Sequence, residues 1–389
     1  MADLSVNFGG LSFKNPIIVA SGPLTANIDR IQRAAESGAA SVSIKHTMLK
    51  QKFYAKPRWY AEKGVGIIIS GDPRLSVPKA QELIRDAKEK TDLVVLINMS
   101  ALAEDVSSWS LIAKEFEDAG ADAIELNLNC PNLHTAQEKG KTALGANLGQ
   151  DPDSCAAVIR EIKSKVKIPV IAKLPTEGGR LLDVSRSCDE AGVDILNIHA
   201  GGRAAPGLNI YEGGTMRYPG TGLGPLGGHS GVWSRLLSNR FIADVARAAK
   251  APLMGGGGIV TWEHTVEAIM YGVLGVQICT SIMLEGYDIV TNILSGLEKY
   301  MDQMGYKSVE DFNRIALKNI TGPGEMDYPE VTAWIDPDKC IGCGNCLKMP
   351  TCDAIYQNGK ICSVNPDICV GCGLCLCVCP KDIISIKGK

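Results

Sequence analysis

Aromatic residues are scarce, 5% of 389 positions, and neither sign of charge is in excess: 40 Lys and Arg face 43 Asp and Glu, for a formal net charge of −3. Such a chain has no long-range field with which to grip a phosphate backbone or an anionic bilayer, so no nucleic-acid partner is expected. No apolar run approaches the roughly 20 residues that a membrane span requires, which predicts no membrane association. The opening MADLSVNFGGLSFKNP has neither the basic nor the apolar region of a secretory leader, and the expected location is the cytoplasm. Cysteine is nearly absent from the first 339 residues, where only Cys130, Cys155, Cys188 and Cys279 occur, and then ten cysteines crowd into positions 340 to 379. Two compositions in one chain imply two domains. Without a leader, so dense a set of thiols points to metal ligation over a disulfide framework.

Between residues 15 and 300, short apolar runs alternate with amphipathic stretches. Strands are predicted at Ile17 to Ala20, Ser41 to Lys45, Val94 to Met99, Ala123 to Asn127, Pro169 to Leu174, Ile195 to His199, Pro252 to Gly255 and Val276 to Thr280. Helical patterns lie near Ile28 to Ser37, Trp109 to Ala119, Pro152 to Val166, Leu182 to Ala191, Arg240 to Ala249, His264 to Tyr271 and Tyr287 to Met304. Eight strands with intervening helices make this an α/β chain and favour a (β/α)8 TIM barrel over residues 1–310, with an open doubly wound sheet as the alternative. Residues 311–333, which include TGPGEMDYPE, read as a linker. Residues 334–389 form the second domain and repeat themselves, DPDKCIGCGNC at 336–346 returning as NPDICVGCGLC at 365–375.

Cys369, Cys372, Cys375 and Cys379 followed by Pro380 have the spacing C-x2-C-x2-C-x3-C-P, in which three thiolates hold one iron–sulfur cubane and the fourth reaches the other. The first half supplies Cys340, Cys343 and Cys346, with Cys352 later than the regular spacing would place it. The expectation is a small α+β, bacterial-type ferredoxin-like domain with two [4Fe-4S] clusters, one on Cys340, Cys343, Cys346 and Cys379, the other on Cys369, Cys372, Cys375 and Cys352. Structural zinc prefers paired C-x2-C knuckles and fits a twice-repeated triple less well. Cys362 and Cys377 exceed the eight ligands required. Clusters of this kind move single electrons, so the carbon chemistry must belong to the barrel.

Barrel enzymes commonly hold a phosphate on the loops after strands 7 and 8. Here these read Gly255-Gly256-Gly257-Gly258 and Thr280-Ser281. Lys45 and Lys173 stand near the ends of apolar runs that normally exclude charge, where a lysine needs an anionic or electron-rich partner. Asn98 and Asn127 add amides at strand ends, and Glu125 to Asn132, ELNLNCPN, closes strand 4 with a thiol among carboxamides.

Together NPIIVASGP, SIKH, INMS, ELNLNCPN, IAKLP, GGHSG, GGGGI and QICTS resemble the dihydroorotate and dihydropyrimidine dehydrogenases over essentially the whole chain. The resemblance implies an FMN resting against Ala20, Ser21 and Gly22. Lys45, Asn98, Asn127 and Lys173 would approach its ring, and Ser230, Gly231, Gly257, Gly258, Thr280 and Ser281 its phosphate. It further implies that Cys130 exchanges a proton with the carbon next to the one that exchanges hydride, a general acid facing the flavin across the substrate. Leu133 to Gly149 would be the lid, with His134 and Tyr54 as alternative acids. Substrate contacts would come from Asn129, Asn132 and His199.

Pyrimidine-binding members present an Asn near the second βα loop and an Asn-Ser/Thr step after strand 6, whereas this sequence has GIIISGDP and NIHAGG there. A pyrimidine-like ring is therefore the first expectation, with a non-pyrimidine cyclic enone or heteroaromatic compound as the alternative. A barrel whose FMN serves only as an electron relay is a second alternative. Gly222, Gly224 and Gly227 match G-x-G-x-x-G but follow RYPGT instead of an apolar strand, so no nicotinamide site is expected. Electrons would then come from an NAD(P)H-oxidising flavoprotein subunit or a ferredoxin, and an oligomer is expected.

Overall fold

The computed structural model describes residues 2–48, 56–69, 71–101, 105–130, 145 and 147–389. The chain divides into two compact units, Met1–Asn319 and Ile320–Lys389.

In the first unit eight parallel strands close into a barrel in sequence order. They are β1 (Ile17–Val19), β2 (Ser41–Met48), β3 (Val94–Ser100), β4 (Ala123–Asn127), β5 (Val170–Leu174), β6 (Ile195–His199), β7 (Leu253–Gly256) and β8 (Val273–Ile278). Closure runs through β5 against β6, where Ile195 pairs with Ile171, and through β8 against β1, where Val276 pairs with Ile17. Helices α1 (Ile28–Glu36), α2 (Val77–Lys90), α3 (Val106–Asp118), α4 (Pro152–Lys163), α5 (Leu181–Glu190), α6 (Arg235–Ala248) and α7 (Trp262–Tyr271) return the chain between strands. Thr280–Glu285 (α8) and Asp288–Met304 (α9) follow β8.

Several helices start on residues that accept otherwise unsatisfied N–H groups: Asn27 from Arg30, Asp105 from Ser108, Asp151 from Ser154 and Thr261 from His264. The strands are almost wholly buried, as expected of a parallel sheet covered outside by helices. The last strand begins earlier than its apolar run suggests, and Thr280 opens α8 instead of ending β8. Helix α2 was not anticipated, because its amphipathic pattern follows a Gly- and Pro-containing stretch.

An antiparallel four-stranded sheet also lies outside the sequence expectation. Its order is 202–204, 227–230, 66–69, 59–62, and it joins the excursion after β2 to the one after β6. Tyr60, Ile68 and Tyr218 give it a small apolar core. Gly66 and Ser230 approach so closely that a Cβ on Gly66 would fall 2.1 Å from the Ser230 carbonyl oxygen, a contact that requires glycine. The G-x-G-x-x-G match ends in this sheet at Gly227 and opens no helix.

The barrel unit runs past residue 310, where the linker was expected to begin. Phe312 is fully buried against Tyr300 and Tyr306. The Asn313 amide donates to the carbonyls of Ile269 (3.1 Å) and Val273 (2.9 Å). These contacts tie residues 311–319 to the barrel in place of a free linker.

In the second unit Val331–Ile335 pairs antiparallel with Ile384–Gly388, and Ile355–Asn358 with Ile361–Val364. Short 3-10 turns at Asn345–Lys348 and Leu374–Val378 occupy equivalent places in the two sequence repeats. Both Cys-Xaa-Gly-Cys loops need a left-handed glycine: Gly342 at φ 63° and Gly371 at φ 69°. A Cβ would strike the Lys360 carbonyl oxygen at 2.0 Å in the first and the Val331 side chain at 2.4 Å in the second. No helix among the described residues is long and apolar enough to cross a membrane.

Candidate active site

The barrel interior is organised by a buried carboxylate. Glu125 on β4 accepts from Ser43 and Asn98 at one oxygen, both at 2.6 Å, and from Asn197 (2.8 Å) and Gln277 (2.6 Å) at the other. Burial pushes its pKa up, but Lys173 and these donors outweigh burial and hold the carboxyl below its ordinary range. Lys173 in turn donates to the Gln277 carbonyl oxygen at 2.9 Å. The network climbs toward the mouth: the Asn127 amide donates to Asn98 (2.8 Å), and the Asn127 oxygen accepts the peptide N–H of Cys130 (2.9 Å).

Above this floor a cavity of about 980 Å³ opens at the carboxyl ends of the strands, bounded on one side by the antiparallel sheet. Barrel enzymes place their chemistry at this end. Ala20, Ser21, Gly22, Lys45, Asn98, Asn127, Asn129, Cys130, Lys173, His199, Ser230, Gly231, Gly257, Gly258, Thr280 and Ser281 all line it. Asn132, His134 and Tyr54 lie outside the described residues, as does the expected lid over 133–149 apart from Gly145 and residues 147–149.

Several lining groups were not anticipated. Asp72 forms a buried ion pair with Lys45. Burial depresses the Lys45 ammonium, and Asp72 opposes that shift. An Arg74 guanidinium N–H reaches the Cys130 sulfur at 3.3 Å. His46 shares a hydrogen bond with the Ser100 hydroxyl at 2.7 Å. Burial, then Arg74, Lys45 and Lys173, hold its ring neutral well below the ordinary histidine range. His199 accepts from the Asn129 amide at Nε2 (2.9 Å), which leaves its proton on Nδ1.

Burial, reinforced by Lys173, pushes His199 down to about 3. The unfolded chain binds this proton near the ordinary value of 6.5 and the native chain does not, so native stability falls as pH drops from about 6.5 toward 3. Melting temperatures from pH 7 to 4 should decline more steeply for the wild type than for His199→Gln. Parallel curves would contradict this assignment.

The far end of the cavity has the features of a phosphate cradle. Ser281 carries a buried hydroxyl without a hydrogen-bond partner among the described residues. The Thr280 hydroxyl donates to Ser230 at 3.0 Å. Gly257 and Gly258 hold positive φ where a Cβ would strike the Ser238 hydroxyl (2.5 Å) or the Arg235 backbone (2.7 Å). Unshielded backbone, free hydroxyl capacity and a cationic floor suit a phosphorylated, electron-accepting ring.

In the second unit Cys340, Cys343, Cys346 and Cys379 line one small cavity together with Cys362. Burial, then a hydrogen bond with Cys362, pushes the Cys346 thiol up to about 12. The other set also gathers, with Cys372, Cys369 and Cys352 within electrostatic reach of Cys375. Cys369 accepts backbone N–H groups from Ala333 (3.3 Å) and Gly371 (3.4 Å), the kind of donor that stabilises a cluster thiolate. Among the described residues no three His, Cys, Asp or Glu side chains close on a single-ion site. The first set instead rings a space.

A barrel with a phosphate cradle and, in the same chain, a unit with two cysteine motifs define a flavin and iron–sulfur oxidoreductase of the class acting on CH–CH bonds. The chain belongs to the dihydroorotate dehydrogenase family, whose model matches residues 3–301, and a 4Fe-4S binding domain matches 333–349 and 363–385. The NAD-dependent dihydropyrimidine dehydrogenase subunit PreA of Escherichia coli (strain K12) is 28% identical over 358 residues, spanning 88% of this chain and 84% of the relative. The catalytic subunit of dihydroorotate dehydrogenase B (NAD(+)) from Pyrococcus abyssi is 31% identical over 317 residues, 81% of this chain and 99% of the relative. That from Thermoplasma acidophilum is 28% identical over 326 residues, 82% and 100% respectively. The family uses FMN, and the two cysteine motifs indicate two [4Fe-4S] clusters.

Proposed function

We propose that this chain reduces, or in reverse forms, a C=C bond in the ring of a pyrimidine-like substrate. Cys130 handles the proton, and single electrons reach FMN through both clusters. The observation that carries this reading is the placement of Cys130, which shares a cavity with the Gly257–Ser281 cradle and is fixed to the barrel floor through Asn127. FMN, when bound, accepts electrons singly and delivers them in pairs as hydride.

The chain's own residues do the rest. Ala20, Ser21 and Gly22 wall the ring site; Lys45, Asn98, Asn127 and Lys173 orient and polarise it; Ser230, Gly231, Gly257, Gly258, Thr280 and Ser281 hold the phosphate. Asn129, Asn132 and His199 contact the substrate, with His199 neutral at working pH. Cys130 gives its S–H proton to the ring carbon beside the one that receives hydride, and takes it back in the reverse direction.

The names of the relatives support a pyrimidine-derived ring, whereas Ile67 to Ile69, Ala200 and Gly201 stand where paired carboxamides would read its amide edge. Missing hydrogen-bond partners discriminate sharply, so a cyclic enone or heteroaromatic substrate is the second reading. The electron source is an NAD(P)H-oxidising flavoprotein subunit or a ferredoxin docking on the cysteine-rich unit of a cytoplasmic oligomer.

One cluster is assigned to Cys340, Cys343, Cys346 and Cys379 and the other to Cys369, Cys372, Cys375 and Cys352. Replacing Cys343 or Cys372 by Ala in protein purified without oxygen should halve the iron content, and Cys352→Ala should do the same. Cys362→Ser should leave it unchanged. Iron and sulfide analysis checks each, and loss of half the iron from Cys362→Ser would move the ligand assignment to that residue.

A further inference from the structure

We propose that Cys362 tunes one cluster without ligating it. Its thiol donates to the Cys346 sulfur and raises the reduction potential of the cluster on Cys340, Cys343, Cys346 and Cys379. This rests on the cluster assignment above and gives a role to a cysteine that the eight ligands leave over.

Three observations meet at Cys362. It is 3% exposed and lines the same small cavity as the four ligands of that cluster. It shares a hydrogen bond with Cys346, whereas its other polar neighbour, the Gln357 side-chain oxygen, is 4.0 Å away. Its strand is pressed against the ligand loop, since a Cβ on Gly342 would fall 2.0 Å from the Lys360 carbonyl oxygen.

The internal repeat shows that this placement is particular to one half. The correspondence that carries Cys340 onto Cys369 and Gly342 onto Gly371 also carries Val331 onto Lys360 and Ala333 onto Cys362. Gly371 packs on Val331 as Gly342 packs on Lys360, so each strand lies against the ligand loop of the other half. Where one half has Cys362, the other has Ala333, whose side chain donates nothing. There the adjacent Thr332 hydroxyl bonds to the Cys369 sulfur instead. Each cysteine set thus receives a side-chain donor from a strand, a thiol for the first and a hydroxyl for the second.

On binding iron Cys346 becomes a thiolate and can only accept. The proton of the shared bond then stays on Cys362, because a buried thiol beside a negative group keeps its proton. A donor aimed at a ligand sulfur favours the more negative, reduced state, and hydrogen bonds of this kind help to set the potential of a cluster. Cys362 forms no bond to iron and acts through Cys346 alone, as a positioning residue.

The test is a reductive titration of the oxygen-free holoprotein followed by low-temperature EPR, on wild type, Cys362→Ala, Cys362→Ser and Thr332→Val. Cys362→Ala should keep its iron and shift the redox equilibrium of one cluster about tenfold toward the oxidised form, lowering its midpoint by about 59 mV for one electron. Cys362→Ser, which keeps an O–H donor, should stay near wild type, and Thr332→Val should lower the midpoint of the other cluster only. Unchanged midpoints in iron-replete Cys362→Ala overturn the proposal, as does movement of the same cluster by Cys362→Ala and Thr332→Val. Loss of half the iron from Cys362→Ala overturns it too, because the residue would then be a ligand. A wild type without [4Fe-4S] signals contradicts the cluster assignment itself, an outcome that iron and sulfide analysis registers before any variant is made.

Discussion

Cys130→Ala should retain wild-type flavin and iron contents, accept electrons normally into its clusters, and turn over substrate about 10² to 10⁴ times more slowly, the usual contribution of a positioned general acid or base. Asn127 accepts the Cys130 N–H and is itself held by Asn98, which donates to Glu125. The thiol is therefore delivered by rigid barrel strands, and removing its sulfur leaves the strands, the cradle and the cofactor contacts in place. Cys130→Ser keeps a hydroxyl of weaker acidity and should fall between wild type and Ala. Steady-state kinetics with flavin and iron quantification checks the series, and wild-type turnover in Cys130→Ala would remove the residue from the mechanism.

A second large effect is expected deeper in the barrel. Glu125→Gln should destabilise the barrel by about 3–5 kcal/mol, the range observed when one partner of a buried charge network is removed. The carboxylate receives donors from Ser43, Asn98, Asn197 and Gln277 and lies fully buried. An amide in its place turns a donor toward donors and withdraws the charge that Lys173 faces, leaving buried polar groups unsatisfied. Because Asn98 and Asn127 hang from the same carboxylate, the variant should also loosen Cys130 and lower activity under conditions where it remains folded. Urea unfolding of the two proteins measures the first effect, and a midpoint unchanged from wild type would show that the network is not organised by this charge.

The eight barrel strands were legible because buried parallel strands leave short, continuous apolar runs, and the runs from Ile17 to Val276 recur between amphipathic helices. The cluster motifs were legible because ligand spacing is local. The antiparallel sheet was not: its strands are short, three of the four contain glycine, and their pairing joins residue 67 to residue 230, a partnership that no window of sequence displays. The unread residues of the site follow the same division. Asp72 and Arg74 matter through Lys45 and Cys130, partners from other loops of the barrel. Glu125 carried a readable signal, since a carboxylate inside the run AIELN raises the question already asked of Lys45 and Lys173, namely what neutralises a charge in an apolar strand. The end of the barrel was misjudged because TGPGEMDYPE dominates its neighbourhood by composition, while Phe312 and Asn313 are tied down by contacts that only the fold reveals.

The central claim is that a barrel-held flavin, supplied with single electrons by the cysteine-rich unit, exchanges hydride with a ring double bond while Cys130 manages the proton. The most direct measurement is rapid mixing of the anaerobically reduced wild-type protein and of Cys130→Ala with uracil and cyclic enones, following flavin and cluster absorbance separately. The account predicts that at least one such compound reoxidises the wild-type flavin first and the clusters afterward, with both phases slowed at least a hundredfold in Cys130→Ala. Reoxidation of the clusters without the flavin, or equal rates in the two proteins, would contradict it.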